Sequence, residues 1–261
     1  MRRGLRSYAK RHWMQRAREM GGDVTPPEDD EELFVEPPGA EAVARRAGIL
    51  TAVVVRGVSE LEDDLIELPY FDELGLERDA EPQELELLRA PHGTLPQQAV
   101  IDAHWRAEGL AVLAWALGRL DELPPIDETI ELGVLGDRLE WPWSAAADVA
   151  VLRSPELRRS PEELDALSAR LLTAHWRVRQ FMNMSQEPMD YVAWVPGVEW
   201  AELSLDGLEV AERDLAIGGE PITRADPDHV HATSSILVER RLAVSWLQGY
   251  DALYSEGDTN T

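Results

Sequence analysis

Four long segments of this sequence are predicted to be α-helices, and they limit the possible fold more than any other feature. In residues 40–60 the apolar side chains recur every three or four positions, at Val43, Ala47, Leu50, Val54 and Val58. Residues 97–120 are apolar on nearly all sides, which is typical of a helix buried at the centre of a core. Two further helices are predicted over 161–182 and 227–254. Together they predict a mainly α, multi-helix globular domain.

Two of these helices begin with a residue pattern that caps helix ends. Ser160 is followed three residues later by Glu163, so each side chain can accept a hydrogen bond from the other's backbone N–H. Pro161 then stands at the first helical position, where no N–H is needed. Asp226 before Pro227 predicts the same kind of start for the last helix.

The central helix is expected to start through a similar pattern. Thr94 is predicted to be its N-cap, with Gln97 at the reciprocal position of a capping box and Pro96 inside the first turn. Its apolar run continues to Leu120 and stops before the pair of prolines that begins at Pro124.

The remaining segments predict shorter elements. Residues 61–90 are expected to contain two short helices separated around prolines, and residues 126–150 suggest a short strand and a turn. Residues 185–210 are rich in Trp and Pro and are expected to be irregular connections. Residues 215–222 predict a short β-hairpin, because Gly218 and Gly219 can supply the positive φ angles of a two-residue turn.

Composition divides the chain into four parts. Residues 1–20 are predicted to be a basic N-terminal arm or helix, and residues 21–39 an acidic linker rich in Pro and Gly. Residues 40–254 are predicted to form one α-helical domain. Residues 255–261 are expected to be a frayed tail.

The chain is strongly acidic, and its charge is unevenly distributed. Lys and Arg number 25 against 50 Asp and Glu, a formal net charge of −25, although residues 1–20 hold seven basic residues and one acidic residue. Because nucleic acid binding needs cationic side chains, the acidic body is not expected to bind nucleic acid, and a basic protein partner is expected instead. The basic arm is expected to fold back on the body, extend into solvent, or contact an anionic partner or lipid surface.

The absence of cysteine and of several motifs excludes some classes of function. The chain has no cysteine, which excludes disulfides, thiolate catalysis and sulfur-ligated metals and fits a reducing compartment. Its longest apolar stretch, residues 99–117, is interrupted by charged side chains, so we expect no transmembrane segment and a soluble, cytoplasmic protein. No phosphate-binding, dinucleotide-binding or nucleophile-elbow motif occurs, and no cofactor is expected. The oligomeric state stays open.

Three stretches together resemble a bacterial family known as domain of unknown function 4272. They are WRAEGLAVLAWALGRLDELP at 105–124, DLAIGGEPI at 214–222 and VERRLAVSWLQGY at 238–250, with a weaker likeness at 152–177. The resemblance covers about residues 40–254 and leaves out the basic arm and the linker. It implies no activity and no catalytic residues, because the family is named for the lack of an assigned function.

One carboxylate stands out within the apolar central helix. Glu108 lies in the stripe formed by Trp105, Val112 and Trp115, and a buried carboxylate needs a cationic partner or a raised pKa. We predict that Glu108 pairs with Arg240 or Arg241 on the last helix. The plainer interpretation is an ion pair that fixes how the helices pack. The alternative is an enzyme or ligand-binding site built from Glu108, Arg240 or Arg241 with His104 and His175.

Histidines offer a second chemical alternative. His104, His175, His229 and His231 are candidate metal ligands, because they lie on helices that are expected to meet. The argument is weak, since His229 and His231 are two residues apart and therefore point away from each other on a helix. No bound metal is expected.

These observations favour a non-catalytic protein that binds a partner through its acidic surface, as an inhibitory or immunity-like protein does. The alternative is an enzyme or a protein that binds a small ligand or metal through the candidate residues above. The two hypotheses differ in one testable feature. An enzyme requires those side chains to converge on one open pocket, whereas a binding module leaves them dispersed through the core.

Overall fold

The computed structural model describes residues 35–139 and 155–257. The predicted basic arm and most of the predicted linker lie outside the described residues, as does the segment 140–154. The mainly α prediction is confirmed, because the described ranges consist of helices joined by loops, with one small antiparallel sheet. In these ranges, no helix is both long and apolar enough to cross a membrane.

Eight α-helices and three strands make up the described fold. The helices are α1 (Ala40–Glu62), α2 (Pro69–Glu73), α3 (Pro82–Arg89), α4 (Gln97–Ala116), α5 (Leu132–Leu139), α6 (Pro161–Asn183), α7 (Tyr191–Trp194) and α8 (Pro227–Leu247). The strands are β1 (Val210–Ala211), β2 (Asp214–Ile217) and β3 (Glu220–Pro221), in that spatial order. Short 3₁₀ turns cover Leu76–Arg78, Val195–Gly197 and Tyr254–Glu256.

Helix α4 lies at the centre, as its all-round apolar character predicts. It packs against α1 on one side and α8 on another, and α8 also packs against α6. Gly57 allows α1 and α4 to approach closely, because a Cβ at this position would lie 2.9 Å from the Cβ of Ala103. The shared interior of these four helices is the hydrophobic core.

The predicted starts of α6 and α8 are confirmed. Ser160 Oγ accepts a hydrogen bond from the N–H of Glu163, and Glu163 accepts one from the N–H of Ser160. Asp226 accepts from the N–H groups of Asp228 and His229. Helix α8 is shorter than predicted, because it ends at Leu247 and Gly249 then adopts a left-handed φ of 75°.

The predicted start of α4 is wrong. The cap position is occupied by Pro96, which has no capping side chain, and Thr94 lies outside the helix. The Thr94 hydroxyl instead donates to the carbonyl of Pro91, closing a local turn. The helix also ends early, at Ala116, because Gly118 takes a left-handed φ of 69°.

The strand suggested within 126–150 is also wrong where it is described. Residues 132–139 form α5, since Leu135 and Leu139 are four residues apart and both are buried on one helical face. The rest of that prediction, residues 140–154, lies outside the described residues.

The predicted hairpin is confirmed and has one additional strand. Gly218 and Gly219 have φ angles of 61° and 77°, and β2 pairs with β3 on either side of them. Strand β1 pairs with the other edge of β2. In the segment predicted as a frayed tail, the N–H of Ser255 donates to the carboxylate of Glu81, and residues beyond 257 lie outside the described ranges.

Candidate functional site

The predicted pairing of Glu108 with an arginine of the last helix is confirmed, and Arg240 is the partner. The Arg240 guanidinium donates through Nε to Glu108 Oε2 at 2.9 Å, and its Nη2 lies 2.8 Å from the same oxygen. The second carboxylate oxygen, Oε1, accepts the backbone N–H of Ile130 at 2.8 Å. Only 2% of Glu108 and 1% of Arg240 is exposed, so this ion pair is sealed between α4 and α8.

Arg240 also fixes the loop that follows α4. Its Nη1 donates to the carbonyls of Pro124 and Pro125, and its Nη2 donates to the carbonyl of Glu128. All of the nitrogens of this guanidinium therefore have a protein acceptor. The arrangement supports the structural interpretation, because neither group is left to bind a substrate or transfer a proton.

A second buried charge cluster joins the same helices on another face. Arg106 of α4 donates to Glu239 of α8 at 3.1 Å, and burial raises the pKa of the Glu239 carboxyl although Arg106 opposes that shift. Arg106 also lies over the ring of Tyr254, at 5.9 Å from its centroid, and Arg46 lies over the same ring at 5.6 Å. Arg46 in turn donates to both carboxylate oxygens of Glu84 at 2.8 Å.

Arg241 pairs with a different residue from the adjacent Arg240. Its Nη1 donates to Nδ1 of His175 at 2.7 Å, and because a guanidinium can only donate, Nδ1 must be the unprotonated nitrogen. His175 is 1% exposed. Burial, together with the positive charges of Arg241 and Arg179, lowers the pKa of His175 to about 3. His175 is therefore a neutral, buried hydrogen-bond acceptor at physiological pH.

We expect His175 to make the protein less stable in mild acid. The unfolded state takes up a proton near the ordinary pKa of 6.5, whereas the folded state stays neutral down to about 3, so stability falls as the pH decreases through this window. Between pH 7 and pH 5 this group should remove about 2 kcal/mol from the free energy of unfolding. The variant His175→Gln keeps a hydrogen-bond acceptor but does not titrate. Its free energy of unfolding, measured by urea denaturation, should therefore fall by about 2 kcal/mol less between pH 7 and pH 5 than that of the unaltered protein.

The exposed His231 provides a matched control for that measurement. His231→Gln should keep the pH dependence of the unaltered protein. Equal pH dependence in His175→Gln and the unaltered protein would show that His175 is not held neutral by the fold.

The other candidate histidines do not meet. His104 and His231 are exposed, and Nε2 of the half-buried His229 lies 2.7 Å from the carbonyl oxygen of Asp127. In residues 35–139 and 155–257, no group of three or more His, Asp or Glu side chains is arranged to hold a metal ion. The candidate residues thus form two separate pairs, Glu108 with Arg240 and His175 with Arg241, and His104 is exposed.

Sequence reasoning missed one buried ion pair of similar importance. Arg177 of α6 donates to both oxygens of Asp214 at 2.7 and 2.6 Å, and the pair joins α6 to the start of β2. Arg177 is fully buried and Asp214 is 2% exposed. The available signal was the charged Asp214 at the start of an otherwise apolar, buried strand, which implies a cationic partner.

An apolar groove, next to an acidic segment of the chain, is formed by the C-terminal half of α1, the segment 63–68, α2 and α3. We call it the acidic groove. Its cavity has a volume of about 410 Å³, and its apolar lining includes Leu65, Ile66, Leu68, Phe71, Leu85 and Leu88. Apolar side chains of this kind, open to solvent and surrounded by charge, are typical of a surface that contacts another molecule.

The segment 60–77 beside the acidic groove carries uncompensated negative charge, although the groove itself is lined by Arg56 and Arg89 as well as by Asp72 and Glu77. Residues 60–77 contain eight carboxylates and no Lys or Arg. Two are paired, Glu60 with Arg56 and Glu77 with Arg89. The other six are exposed and have no ion-pair partner in the described ranges: Glu62, Asp63, Asp64, Glu67, Asp72 and Glu73. Leu61, Leu65 and Leu74 are exposed in the same segment.

Comparison with known proteins finds one family. The family model described as "Domain of unknown function (DUF4272)" matches residues 19–200, which is more than half of the chain. The match begins near the start of the predicted linker and ends before the stretches 214–222 and 238–250. No curated protein and no solved structure matches the chain.

Proposed function

Since the chain belongs to the domain of unknown function 4272 family, which has no assigned activity, we propose from its geometry that it is a non-catalytic protein-binding module. Its acidic groove receives a segment of a partner protein that is rich in Lys and Arg and carries apolar side chains. An inhibitory or immunity-like role is the form of binding that this arrangement fits best.

The observation that carries this proposal is an apolar groove next to a segment with six exposed carboxylates that have no ion-pair partner among the described residues, one of which, Asp72, lines the groove. The carboxylates attract a cationic segment and speed its encounter, and they repel acidic competitors. The apolar floor supplies the contact area that holds the segment once it arrives. Because the charges are exposed, the complex should weaken as salt is added.

The placement of the candidate catalytic residues supports the same proposal. Glu108, Arg240 and His175 are buried and bonded to protein groups, and His104 is exposed elsewhere. An enzyme built from these side chains would need them in one open pocket. Neither the acidic groove nor the cavity that Arg240 lines contains Glu108, His104 or His175.

The test compares two variants that have the same net charge. One, the groove variant, changes the acidic segment beside the groove by Asp63→Asn, Asp64→Asn and Glu67→Gln. The other changes three exposed carboxylates elsewhere, by Glu199→Gln, Glu202→Gln and Asp206→Asn. Proteins captured from the native lysate by the unaltered chain are compared with those captured by each variant, and the affinity of each captured partner is measured at increasing salt.

We expect basic partners to be retained by the unaltered chain and by the second variant. The groove variant should bind them about tenfold more weakly, because each exposed ion pair contributes about 0.2–1 kcal/mol. Equal capture by both variants would contradict the proposal. Capture that appears only after residues 1–20 are deleted would assign the groove to the chain's own basic arm.

A further inference from the structure

A second cavity, separate from the acidic groove, contains an arginine that has no partner among the described residues. The cavity has a volume of about 310 Å³ and lies between the loop that follows α4, one face of α6, and the small sheet. Arg170 of α6 lines it, half-buried. Within residues 35–139 and 155–257, the Arg170 guanidinium makes no hydrogen bond or ion pair. We call this space the Arg170 cavity.

An unpaired arginine is unexpected in this protein. Carboxylates outnumber cationic side chains two to one, and the buried arginines, such as Arg46, Arg177 and Arg240, bond to carboxylates, whereas the half-buried Arg170 bonds to none in the described ranges. Burying a cation without a partner is unfavourable. Burial, together with the positive charge of Arg240, lowers the pKa of Arg170, so the fold opposes rather than compensates its charge. An anion entering the cavity would remove this penalty.

The surroundings of Arg170 leave its donors available. Gly207 has a φ of 75°, and a Cβ at this position would lie 2.5 Å from Nη1 of Arg170, so the bare backbone of Gly207 makes room for the guanidinium. Arg240 cannot compete for a ligand, because its donors are already bonded to Glu108 and to three carbonyls. Arg170 is therefore the group in this cavity with free donors for an anion.

The other walls restrict the kind of anion. Leu123, Leu167 and Leu171 give the cavity an apolar side. Three carboxylates also line it, from the exposed Glu122 and Glu209 and the half-buried Asp127. The three carboxylates repel ligands with several negative charges most strongly, which disfavours nucleotides and other polyphosphates. A single carboxylate can be held by the two parallel N–H groups of a guanidinium.

We propose that the Arg170 cavity binds a small monocarboxylic acid, whose carboxylate is held by Arg170 and whose apolar body lies against Leu123, Leu167 and Leu171. This site is independent of the acidic groove and does not require the protein-binding function. It assigns a ligand class to a cavity in which a guanidinium has no acceptor among the described residues.

The experiment titrates the full chain with hexanoate and benzoate, with hexanol as the uncharged control and hexyl phosphate as the dianionic control. Binding is followed by calorimetry and by the NMR signal of the Arg170 Nε–H group. The variant Arg170→Met removes the charge and keeps the length of the side chain. It should fold, because Arg170 has no described partner to lose. Arg78→Met changes an exposed arginine that also has no ion pair among the described residues, and it serves as the control.

We expect both carboxylates to bind and to shift the Arg170 signal, with hexanol and hexyl phosphate binding more weakly. Arg170→Met should weaken carboxylate binding by about 10–100-fold, since hydrogen bonds between charged groups are the strong ones, and Arg78→Met should leave it unchanged. The proposal is overturned if neither carboxylate binds saturably, if hexanol binds as well as hexanoate, or if Arg170→Met binds the carboxylates as tightly as the unaltered chain does.

Discussion

Replacement of Glu108 by glutamine is expected to lower the free energy of unfolding by about 3–5 kcal/mol. The substitution keeps the size of the side chain but leaves the Arg240 guanidinium as an uncompensated charge between α4 and α8. Arg240 cannot turn toward solvent without releasing the carbonyls of Pro124, Pro125 and Glu128. Urea denaturation of the purified variant measures the loss.

A double-mutant cycle separates the ion pair from the loop contacts. Arg240→Met removes both the partner of Glu108 and the donors to the loop, so adding Arg240→Met to Glu108→Gln should not restore stability fully. The coupling between the two sites should be about 1–3 kcal/mol. A loss below about 1 kcal/mol in Glu108→Gln would contradict the structural role, because such a value is typical of exposed ion pairs.

Asp214→Asn should have an effect of similar size, about 3–5 kcal/mol, for the same physical reason. The carboxylate accepts two hydrogen bonds from the fully buried Arg177 and two more from the N–H groups of Met189 and Leu215. An amide cannot balance the arginine charge, and its NH₂ group faces a donor. Unfolding by urea, followed by circular dichroism, provides the measurement.

Glu212→Gln is the matched control, because it lies two residues away and also breaks an ion pair. Glu212 and Arg224 are both more than half exposed, so their pair should contribute little to stability. If Asp214→Asn and Glu212→Gln changed stability equally, burial would not determine the strength of these pairs.

Much of the fold could be predicted because its signals are local. The Ser160 capping box and the Gly218–Gly219 turn depend on residues that are neighbours in sequence, and both are confirmed. Thr94 shows the limit of such patterns, since its hydroxyl bonds to Pro91 instead of capping α4. Two competing local arrangements were open to the same residue, and the sequence does not show which is more stable.

The Glu108–Arg240 pair could be predicted because a carboxylate in an apolar helix requires a cation, and the last helix offered two. The acidic groove and the Arg170 cavity could not be predicted. Each is a space between elements that are distant in sequence. Its shape depends on how α2, α3 and the small sheet pack against the long helices. The sequence shows the negative charge of residues 60–77, but it does not show that an apolar surface lies beside them.

The two ion pairs between α4 and α8 join residues 132 and 133 positions apart in the chain. Individual helices form quickly, but these partners can meet only after a very long loop has closed, and closing it has an entropic cost. Until then, Glu108 and Arg240 remain hydrated, and the centre of the protein stays open to water. Folding should therefore be slower than in helical bundles in which the helices that pack together are adjacent in the sequence.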